Sequence, residues 1–479
     1  MIIDVAPSFC RVQGTKEELY WLKDLLTFEV PGAKYTLIYR RQQWDGKKRF
    51  FNLVSKVFPV GLLDYVLKHK KSRVIVVEDH REFKKIDTTP PTLNTIELRD
   101  YQKKAITECL TRRNCLVEAA TNSGKTAIFS GIIKKLYPMP TLVLTHRAEL
   151  LTQTVDFIEQ YTGLECGFIT AKDVLIRPVT VAMIATLVNR IGIDQEVTDF
   201  YESVKCVIVD ETHHSQAKTF ASVLAACRAI YRYGFSGTIP PENTIEGVQV
   251  RQFIGSVGFS ITNDELIELK VSAKPKIYLY EIDVKDKVRG IHNLAKAELE
   301  SVDELYSARE LLRKVYDLVI KRAIINNEER NMKAVEILKK DTSSSTLIVV
   351  DYLEHGTVVE ALLKKYGIVA SFISGESLHR TKSLNDFKEG KLKVLIATSI
   401  VDEGLDIARI ERLILLAGKK SRRQLLQRIG RSLRRKEGEN TVEIYDFFDF
   451  GNKYLEHHSK SRCNIYKQEK FDIQWIELK

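Results

Sequence analysis

Residues 114–126 read NCLVEAATNSGKT, an apolar run that passes directly into a turn rich in small and polar residues. The apolar run predicts a buried strand, and the residues after Gly124 predict a helix. Ala119 to Thr126 have the spacing of a Walker A phosphate-binding loop, with Ala119 where the first glycine usually stands. Lys125 would reach the β- and γ-phosphates of ATP, and Thr126 would bind Mg²⁺. ATP and Mg²⁺ are therefore the predicted cofactors. A chance match within a strand–turn–helix unit is the alternative.

Similar apolar runs occur on both sides of a charged, helix-like region at 285–340. Their lengths, and the amphipathic stretches between them, are typical of strands in a parallel sheet. The predicted strands are 114–120, 141–146, 179–185, 205–211 and 232–238 in a first series and 346–351, 369–374, 393–399, 412–417 and 442–447 in a second. The expected fold class is therefore α/β, with two tandem RecA-like parallel-sheet lobes and a small α+β N-terminal domain.

A linker is predicted at 86–96, where a Pro-Pro pair lies among Thr and Asn residues. We therefore expect four regions along the chain. The N-terminal domain is expected at 1–90 and the first lobe, which contains the phosphate loop, at 91–270. The second lobe, which contains the helical region 285–340, is expected at 271–445, and a basic C-terminal extension at 446–479.

The formal charge is +11, and residues 1–90 alone contain 17 Lys and Arg against 11 Asp and Glu. This balance favours a polyanionic partner, although many basic proteins are merely soluble. The seven cysteines include no CxxC pair, so neither a zinc site nor a disulfide framework is indicated. The chain begins without a signal-peptide pattern and contains no apolar run of about 18 residues, so we expect a cytoplasmic protein with no membrane partner.

A second motif, Val207 to His213, ends an apolar strand with two adjacent carboxylates. Asp210 is expected to hold Mg²⁺, and Glu211 to orient or deprotonate the attacking water. Such a pair is often only a solvated turn, but a phosphate loop in the same predicted lobe favours ATP hydrolysis. Thr126 and Asp210 are therefore the predicted metal ligands.

A third motif, Gln427 to Arg434, places arginines on a predicted short helix of the second lobe. Phosphoryl transfer needs cationic groups that stabilise charge on the γ-phosphoryl group. If Arg431 and Arg434 supply that charge from the second lobe, hydrolysis requires the lobes to close. A basic surface helix is the alternative.

These motifs occur in the order found in superfamily-2 helicases, and the sequence resembles that family between about 100 and 434. By this resemblance Gln102 would read the adenine. The nucleotide-binding residues would be Arg99, Gln102, Thr121, Asn122, Ser123, Gly124, Lys125, Thr126, Gly404, Asp406 and Gln427. Catalysis would use Lys125, Asp210, Glu211, Arg431 and Arg434. Ser236 and Thr238 would couple hydrolysis to movement. The nucleic-acid backbone would contact Thr145, Arg147, Thr186 and Thr398.

Residues 39–50 interleave aromatic side chains with cations. The pattern suits phosphate contact combined with base stacking, and the predicted nucleic-acid contacts are Arg41, Trp44, Lys47 and Lys48. The alternative is a β-turn at Asp45-Gly46 with Trp44 in a small core. This stretch, residues 58–69, residues 328–331 and the final basic, aromatic segment resemble the phage UvsW helicases. That resemblance implies an N-terminal domain that binds duplex or branched DNA.

The expected function is an ATP-dependent DNA helicase or translocase, most similar to the phage enzymes that migrate branches, regress forks and unwind R-loops. Its expected partners are branched, duplex and single-stranded DNA, with RNA in R-loops, and the expected state is a monomer. About twenty residues separate Asp406 from Gln427, too few for a long strand-separating hairpin, so another element is expected to split the duplex. Two alternatives stay open: an ATPase sensor without unwinding, and the motor subunit of a restriction enzyme.

Overall fold

The structure is a computed structural model. It describes residues 1–146, 148–212, 218–301, 307–375, 379–398, 410–418, 425, 429 and 441–476, with the backbone alone at 149 and 218. Two compact units divide the chain, Met1–Thr262 and Asn263–Lys479. None of the described helices has the length and apolar character needed to cross a membrane.

The first unit begins with a small α+β domain, called here the N-terminal domain. Its elements are β1 (Ile2–Val5), β2 (Phe9–Gln13), α1 (Lys16–Leu25), β3 (Thr27–Glu29), α2 (Leu37–Arg40), β4 (Lys47–Arg49), β5 (Val57–Pro59), α3 (Leu63–Lys68) and β6 (Val76–Asp79). Four strands form a sheet of order β5-β2-β1-β6, and β3 pairs separately with β4. Alternate residues along β1 and β2, Ile3, Val5, Cys10 and Val12, are buried, as the two-residue period of a strand requires.

The first lobe follows the linker and completes the first unit. Its elements are α4 (Asp100–Arg112), β7 (Asn114–Ala119), α5 (Lys125–Leu136), β8 (Thr141–Thr145), α6 (Ala148–Thr162), β9 (Cys166–Ile169), β10 (Val174–Leu175), β11 (Val179–Met183), α7 (Ile184–Arg190), α8 (Gln195–Ser203), β12 (Cys206–Val209), α9 (Lys218–Ala226), β13 (Tyr231–Ser236), α10 (Ile245–Arg251) and β14 (Val257–Ile261). The sheet has the order β10-β9-β11-β8-β12-β13-β7-β14. The five strands predicted for this lobe are confirmed.

Buried contacts join the N-terminal domain to the first lobe. The fully buried guanidinium of Arg232, on β13, donates to Ser8 Oγ at 2.8 Å and to the carbonyl of Cys227 at 2.6 Å. Gly61 lies so close to α10 that a Cβ atom there would be 2.0 Å from the carbonyl oxygen of Arg251. A buried guanidinium is tolerated only when its N–H groups are bonded, so these contacts are specific. They explain why the domain and the lobe form one compact unit.

The second unit is the second lobe. Its elements are α11 (Asn263–Glu268), β15 (Lys274–Asp283), α12 (Ile291–Glu300), α13 (Ala308–Ile320), a π-helical turn (Lys321–Ile325), α14 (Glu328–Lys340), β16 (Thr346–Val349), α15 (Leu353–Lys365), β17 (Ala370–Ile373), α16 (Arg380–Lys388), β18 (Val394–Ala397), β19 (Arg412–Leu415), β20 (Thr441–Phe450), α17 (Lys453–Gln468) and β21 (Asp472–Ile476). The parallel sheet has the order β17-β18-β16-β19-β20-β15-β21. The five strands predicted here are confirmed, and so is the α/β fold class.

The last described residues belong to this sheet. β20 runs through the expected boundary at 445/446, and β21 pairs in parallel with β15. Helix α17 is tied to β20 by Arg462, which donates to Asp446 Oδ2 at 2.9 Å. Residues 446–476 are therefore part of the lobe rather than the basic extension expected there. The many cations of this segment give it a basic composition. They make the periodic apolar positions that pack inward, such as Leu455 and Tyr466, hard to recognise in the sequence.

A buried polar cluster lies where α14 meets β20 and α15. Arg330 forms a buried ion pair with Asp449. His355 Nε2 lies 2.9 Å from Asn331 Oδ1, and the Asn331 amide donates to the carbonyl of Ile325. Burial, and secondarily the charge of Arg330, lowers the pKa of His355 to about 3. The folded lobe therefore holds this imidazole neutral, as a donor to Asn331.

Candidate ATP site and nucleic-acid interface

The phosphate loop connects the end of β7 to the start of α5. Asn122 and Gly124 both have positive φ, at 71° and 76°. A Cβ atom on Gly124 would also lie 2.5 Å from Gln102 Nε2, so glycine is required for space as well as conformation. Helix α5 then begins at Lys125, which directs its first N–H groups toward the loop. This geometry is that of a phosphate cradle.

Residues of α4 hold the loop from behind. Tyr101 Oη and Gln102 Nε2 both donate to the carbonyl of Ser123, at 2.8 and 2.9 Å. Gln102 Oε1 accepts the backbone N–H of Arg99 at 2.9 Å, and Arg99 donates to Tyr101 Oη. Gln102 is thus a buried part of the loop's support, and its role in reading adenine stays a prediction. The contribution of Tyr101 was missed, because a tyrosine at a helix start carries no distinctive sequence signal.

The acidic pair lies at the carboxyl end of β12, as predicted. Lys125 Nζ forms an ion pair with Glu211 Oε1 at 3.3 Å, which brings together two motifs separated by 86 positions. Glu211 has a positive φ of 50°, and its N–H donates to Asp210 Oδ1 at 2.9 Å. The hydroxyl of Thr212 lies within hydrogen-bond distance of the carbonyl oxygens of Val209 and Phe235, at 3.0 and 3.1 Å, and its one hydrogen is shared between them, which fixes the end of the strand.

Burial and the adjacent Glu211 raise the pKa of Asp210 to about 6, and the Lys125 ammonium only partly opposes this rise. The two carboxylates therefore create more negative charge than one lysine balances. A divalent cation would restore the balance, so the residues fit a magnesium ion. Thr126, in the first turn of α5, is half-buried beside the loop. Asp210 and Thr126 thus remain the predicted magnesium ligands.

The segment Ser236–Gly237–Thr238 begins at the last residue of β13 and borders the phosphate loop. A Cβ atom on Gly237 would lie 3.8 Å from Lys125 Nζ. Ser236 Oγ donates to the carbonyl of Thr238 at 2.9 Å. Glu118 Oε1 on β7 accepts the N–H of Ile239 at 2.9 Å, which fixes this segment to the strand that leads into the loop. Sequence reasoning missed Glu118, since a single acidic residue in an apolar run has no spacing to mark it.

The threonines predicted to contact the nucleic-acid backbone are buried or half-buried. Thr145 is fully buried at the end of β8, and its hydroxyl has no partner within the described part of the chain. Thr186 is buried in the first turn of α7, and Thr398 is half-buried after β18. Their contacts with nucleic acid stay predictions. The predicted site residues Arg147, Gly404, Asp406, Gln427, Arg431 and Arg434 lie outside the described residues.

The basic stretch of the N-terminal domain forms the end of the β3–β4 hairpin. Gly46 has a φ of 76°, and Asp45 Oδ1 accepts the N–H of Lys47, so the side chain of Asp45 closes a local Asx turn; the two strands themselves are joined by residues 30–46 and not by a two-residue β-turn. Trp44 is half-buried and its indole N–H donates to the carbonyl of Lys47 at 2.9 Å. Arg41, Lys47 and Lys48 are exposed around this turn. The turn and an exposed basic surface therefore coexist.

Comparison with known families gives two matches along the chain. The family described as "Type III restriction enzyme, res subunit" matches residues 95–241, and the "Helicase conserved C-terminal domain" matches residues 329–436. The first match contains the phosphate loop and the acidic pair. The second contains the predicted arginine motif.

Among curated proteins, the chain is 26% identical to IRC3 of Saccharomyces cerevisiae over 73% of this chain, but it spans only about half of that relative, 51%. It is 20% identical to the ATP-dependent DNA helicase UvsW of Enterobacteria phage T4, over 97% of this chain and 96% of UvsW. Among solved structures, the helicase domain of Pyrococcus furiosus Hef shares the fold, with a TM-score of 0.51, 15% identity and coverage of 76% of this chain and 98% of that domain.

The phosphate loop, the acidic pair and the two family matches agree with one another. The near-full-length similarity to UvsW extends that agreement to the N-terminal domain. The two family matches and this similarity together identify the chain as a member of the superfamily-2 helicases.

Proposed function

We propose that this helicase translocates on DNA and unwinds or branch-migrates branched DNA, such as recombination and stalled-fork intermediates. The observation that carries the proposal is the similarity to UvsW, an ATP-dependent DNA helicase, which includes the N-terminal domain as well as both lobes. The exposed cations Arg41, Lys47 and Lys48 support it, because they belong to the compact unit that carries the phosphate loop. RNA in R-loops is proposed as a further substrate.

In the proposed reaction, Lys125 exchanges its ion pair with Glu211 for the phosphates of ATP. Glu211 is then available to orient or deprotonate the attacking water. Magnesium, held by Asp210 and Thr126, would neutralise charge on the β- and γ-phosphates. The Lys125–Glu211 pair thereby keeps the carboxylate neutralised until nucleotide arrives.

Coupling to movement is proposed to begin at the segment 236–238. This segment lies beside Lys125 and is fixed to β7 through Glu118, so a change at the phosphate loop has a direct route to it. Arg431 and Arg434 are proposed to stabilise transition-state charge from the second lobe, with Gly404, Asp406 and Gln427 facing the nucleotide. Hydrolysis would then depend on lobe closure.

The test compares ATPase stimulation by single-stranded DNA, duplex DNA, RNA and a four-way junction, together with strand displacement on the same DNAs. Strong stimulation by the junction with ATP-dependent branch migration supports the proposal. Stimulation without any displacement or migration would favour the ATPase sensor. Stimulation by RNA alone would refute a DNA substrate.

A restriction-enzyme motor is the second candidate, because the family that matches residues 95–241 is described by a restriction subunit. Motors of that class act beside a nuclease, so DNA cleavage after translocation distinguishes the two functions. We propose that this chain acts without cleavage, as a monomer, in the cytoplasm of a bacterial or phage-infected cell. Analysis of DNA ends after prolonged ATP turnover tests whether the chain cleaves DNA.

A further inference from the structure

The loop between β3 and β4, residues 30–46, exposes a compact set of apolar side chains. Tyr35 is 70% exposed, Leu37 67%, Ile38 50% and Tyr39 40%. Single exposed apolar residues are ordinary, but four within five positions form a patch of the kind that marks an interaction site. Residues Leu37–Arg40 of this loop form α2, so an ordered element carries most of these side chains. We call residues 35–39 the exposed patch.

The exposed patch is held outward by an ordered loop. The N–H of Val30 donates to the carbonyl of Gly46 at 2.8 Å, which closes the base of the loop. The N–H of Gln43 donates to the carbonyl of Ile38 at 3.0 Å, which ties the patch to the rest of the loop. Gly46 provides room for the Tyr39 ring, since a Cβ atom there would lie 3.0 Å from it. Ordering in advance lowers the entropic cost of inserting these side chains into a ligand.

The charges around the exposed patch identify the class of ligand. Residues 34–49 contain six basic residues and one acidic residue, Asp45, which is paired with Arg49. Lys34, Arg40 and Arg41 have no carboxylate partner within the described residues. An anionic ligand that also presents flat apolar faces satisfies both the cations and the tyrosines. Nucleic acid with accessible bases has this chemistry.

We propose that the exposed patch is the strand-separating element, in which Tyr35 and Leu37 pack on the bases at a DNA junction while the neighbouring cations hold the phosphates. This inference rests on the proposed DNA helicase function. The buried Arg232–Ser8 contact joins the N-terminal domain to the lobe with the phosphate loop, so translocation of that lobe presses the patch against the junction. The patch acts on DNA rather than on a protein partner.

The first experiment measures the number of four-way junctions separated by branch migration per ATP hydrolysed. Tyr35→Ala with Leu37→Ser should lower this ratio about tenfold, because base–aromatic stacking is lost. Tyr35→Phe, which keeps the ring, should retain the wild-type ratio. Val54→Ser is the matched control, since Val54 is 93% exposed in the same domain outside the loop. A wild-type ratio in the double variant would overturn the proposal.

The second experiment does not depend on helicase activity. A junction carrying 2-aminopurine at the branch point is titrated with full-length protein without ATP, and base stacking is followed by fluorescence. The wild-type protein should change the fluorescence, and the Tyr35→Ala, Leu37→Ser variant should change it at least about fivefold less. If wild-type protein gives this change but resolves no junctions, the helicase proposal fails and the stacking site stands. If bound wild-type protein gives no change, the stacking site is refuted, and a protein partner becomes the explanation for the patch.

Discussion

The exposed cations at the end of the β3–β4 hairpin should set how steeply DNA binding depends on salt. Arg41, Lys47 and Lys48 are exposed, whereas Arg49 is paired with Asp45 and releases fewer ions when DNA binds. Each phosphate contact contributes about 0.9 to the slope of log affinity against log salt. Replacing the three exposed cations by Gln should therefore flatten the slope by up to about 2.7.

That slope change corresponds to a large difference in affinity. Between about 50 and 200 mM salt, the wild-type protein should lose up to about 40-fold more affinity than the triple variant. Fluorescence anisotropy of a labelled junction, measured over this range, gives both slopes. The control replaces Lys56, Lys70 and Lys71 by Gln, which removes the same charge from exposed positions of the same domain. Equal slopes for the two triple variants would refute a phosphate-binding hairpin.

Point variants are the right perturbation because the N-terminal domain is not a detachable module. Arg232 is buried against Ser8, and the core of the domain includes Ile245 and Val248 of the first lobe. Deleting residues 1–91 would expose these groups and remove Ser8 Oγ, one of the hydrogen-bond acceptors of the buried Arg232 guanidinium. Loss of activity after truncation would therefore not report on DNA contact.

The remaining predictions concern chemistry and stability. Lys125→Ala should abolish ATP hydrolysis in a folded protein, whereas Glu211→Gln should still bind ATP without hydrolysing it. Equilibrium nucleotide binding and steady-state ATPase assays distinguish the two variants. Wild-type turnover in either variant would contradict the role assigned to that residue. Arg431→Ala or Arg434→Ala should lower kcat by about 10³-fold with little change in ATP affinity, whereas weakened DNA binding alone would indicate a surface helix. Below pH 6.5 the unfolded chain gains a proton at His355 that the folded lobe, with its pKa near 3, does not. Stability should therefore fall by about 2 kcal/mol from pH 7 to 5, and a denaturant titration of His355→Gln should lack this component.

Local features of the chain determined the ATP site. The apolar run 114–119, the turn at 120–124 and the helix from Lys125 are all encoded within one short stretch, because phosphate binding uses backbone groups placed by local conformation. The acidic pair was predictable for a similar reason. Parallel strands end at one edge of a sheet, so Asp210 and Glu211 had to lie near the loop once both strands were recognised.

Other features depend on contacts between distant residues and left no local signal. Residues 446–476 looked like a basic tail, yet Asp446 and Arg462 meet in a buried pair and the segment completes the second sheet. Thr145 is polar and ends strand β8, but the fold buries it. Burial is a property of the packed structure, and a one-dimensional pattern of polar and apolar residues records it only on average.

The sequence by itself determined the fold class, the phosphate loop and the acidic pair, since each follows from periodicity or from a motif with local geometry. Only the tertiary structure decided that the N-terminal domain is fused to the first lobe through Arg232, and that Tyr35 and Leu37 stay exposed. Apolar residues in a basic loop read equally well as a small core or as a binding surface. Which interpretation holds depends on whether other parts of the fold cover these side chains. Within the described residues, Tyr35 and Leu37 remain 70% and 67% exposed.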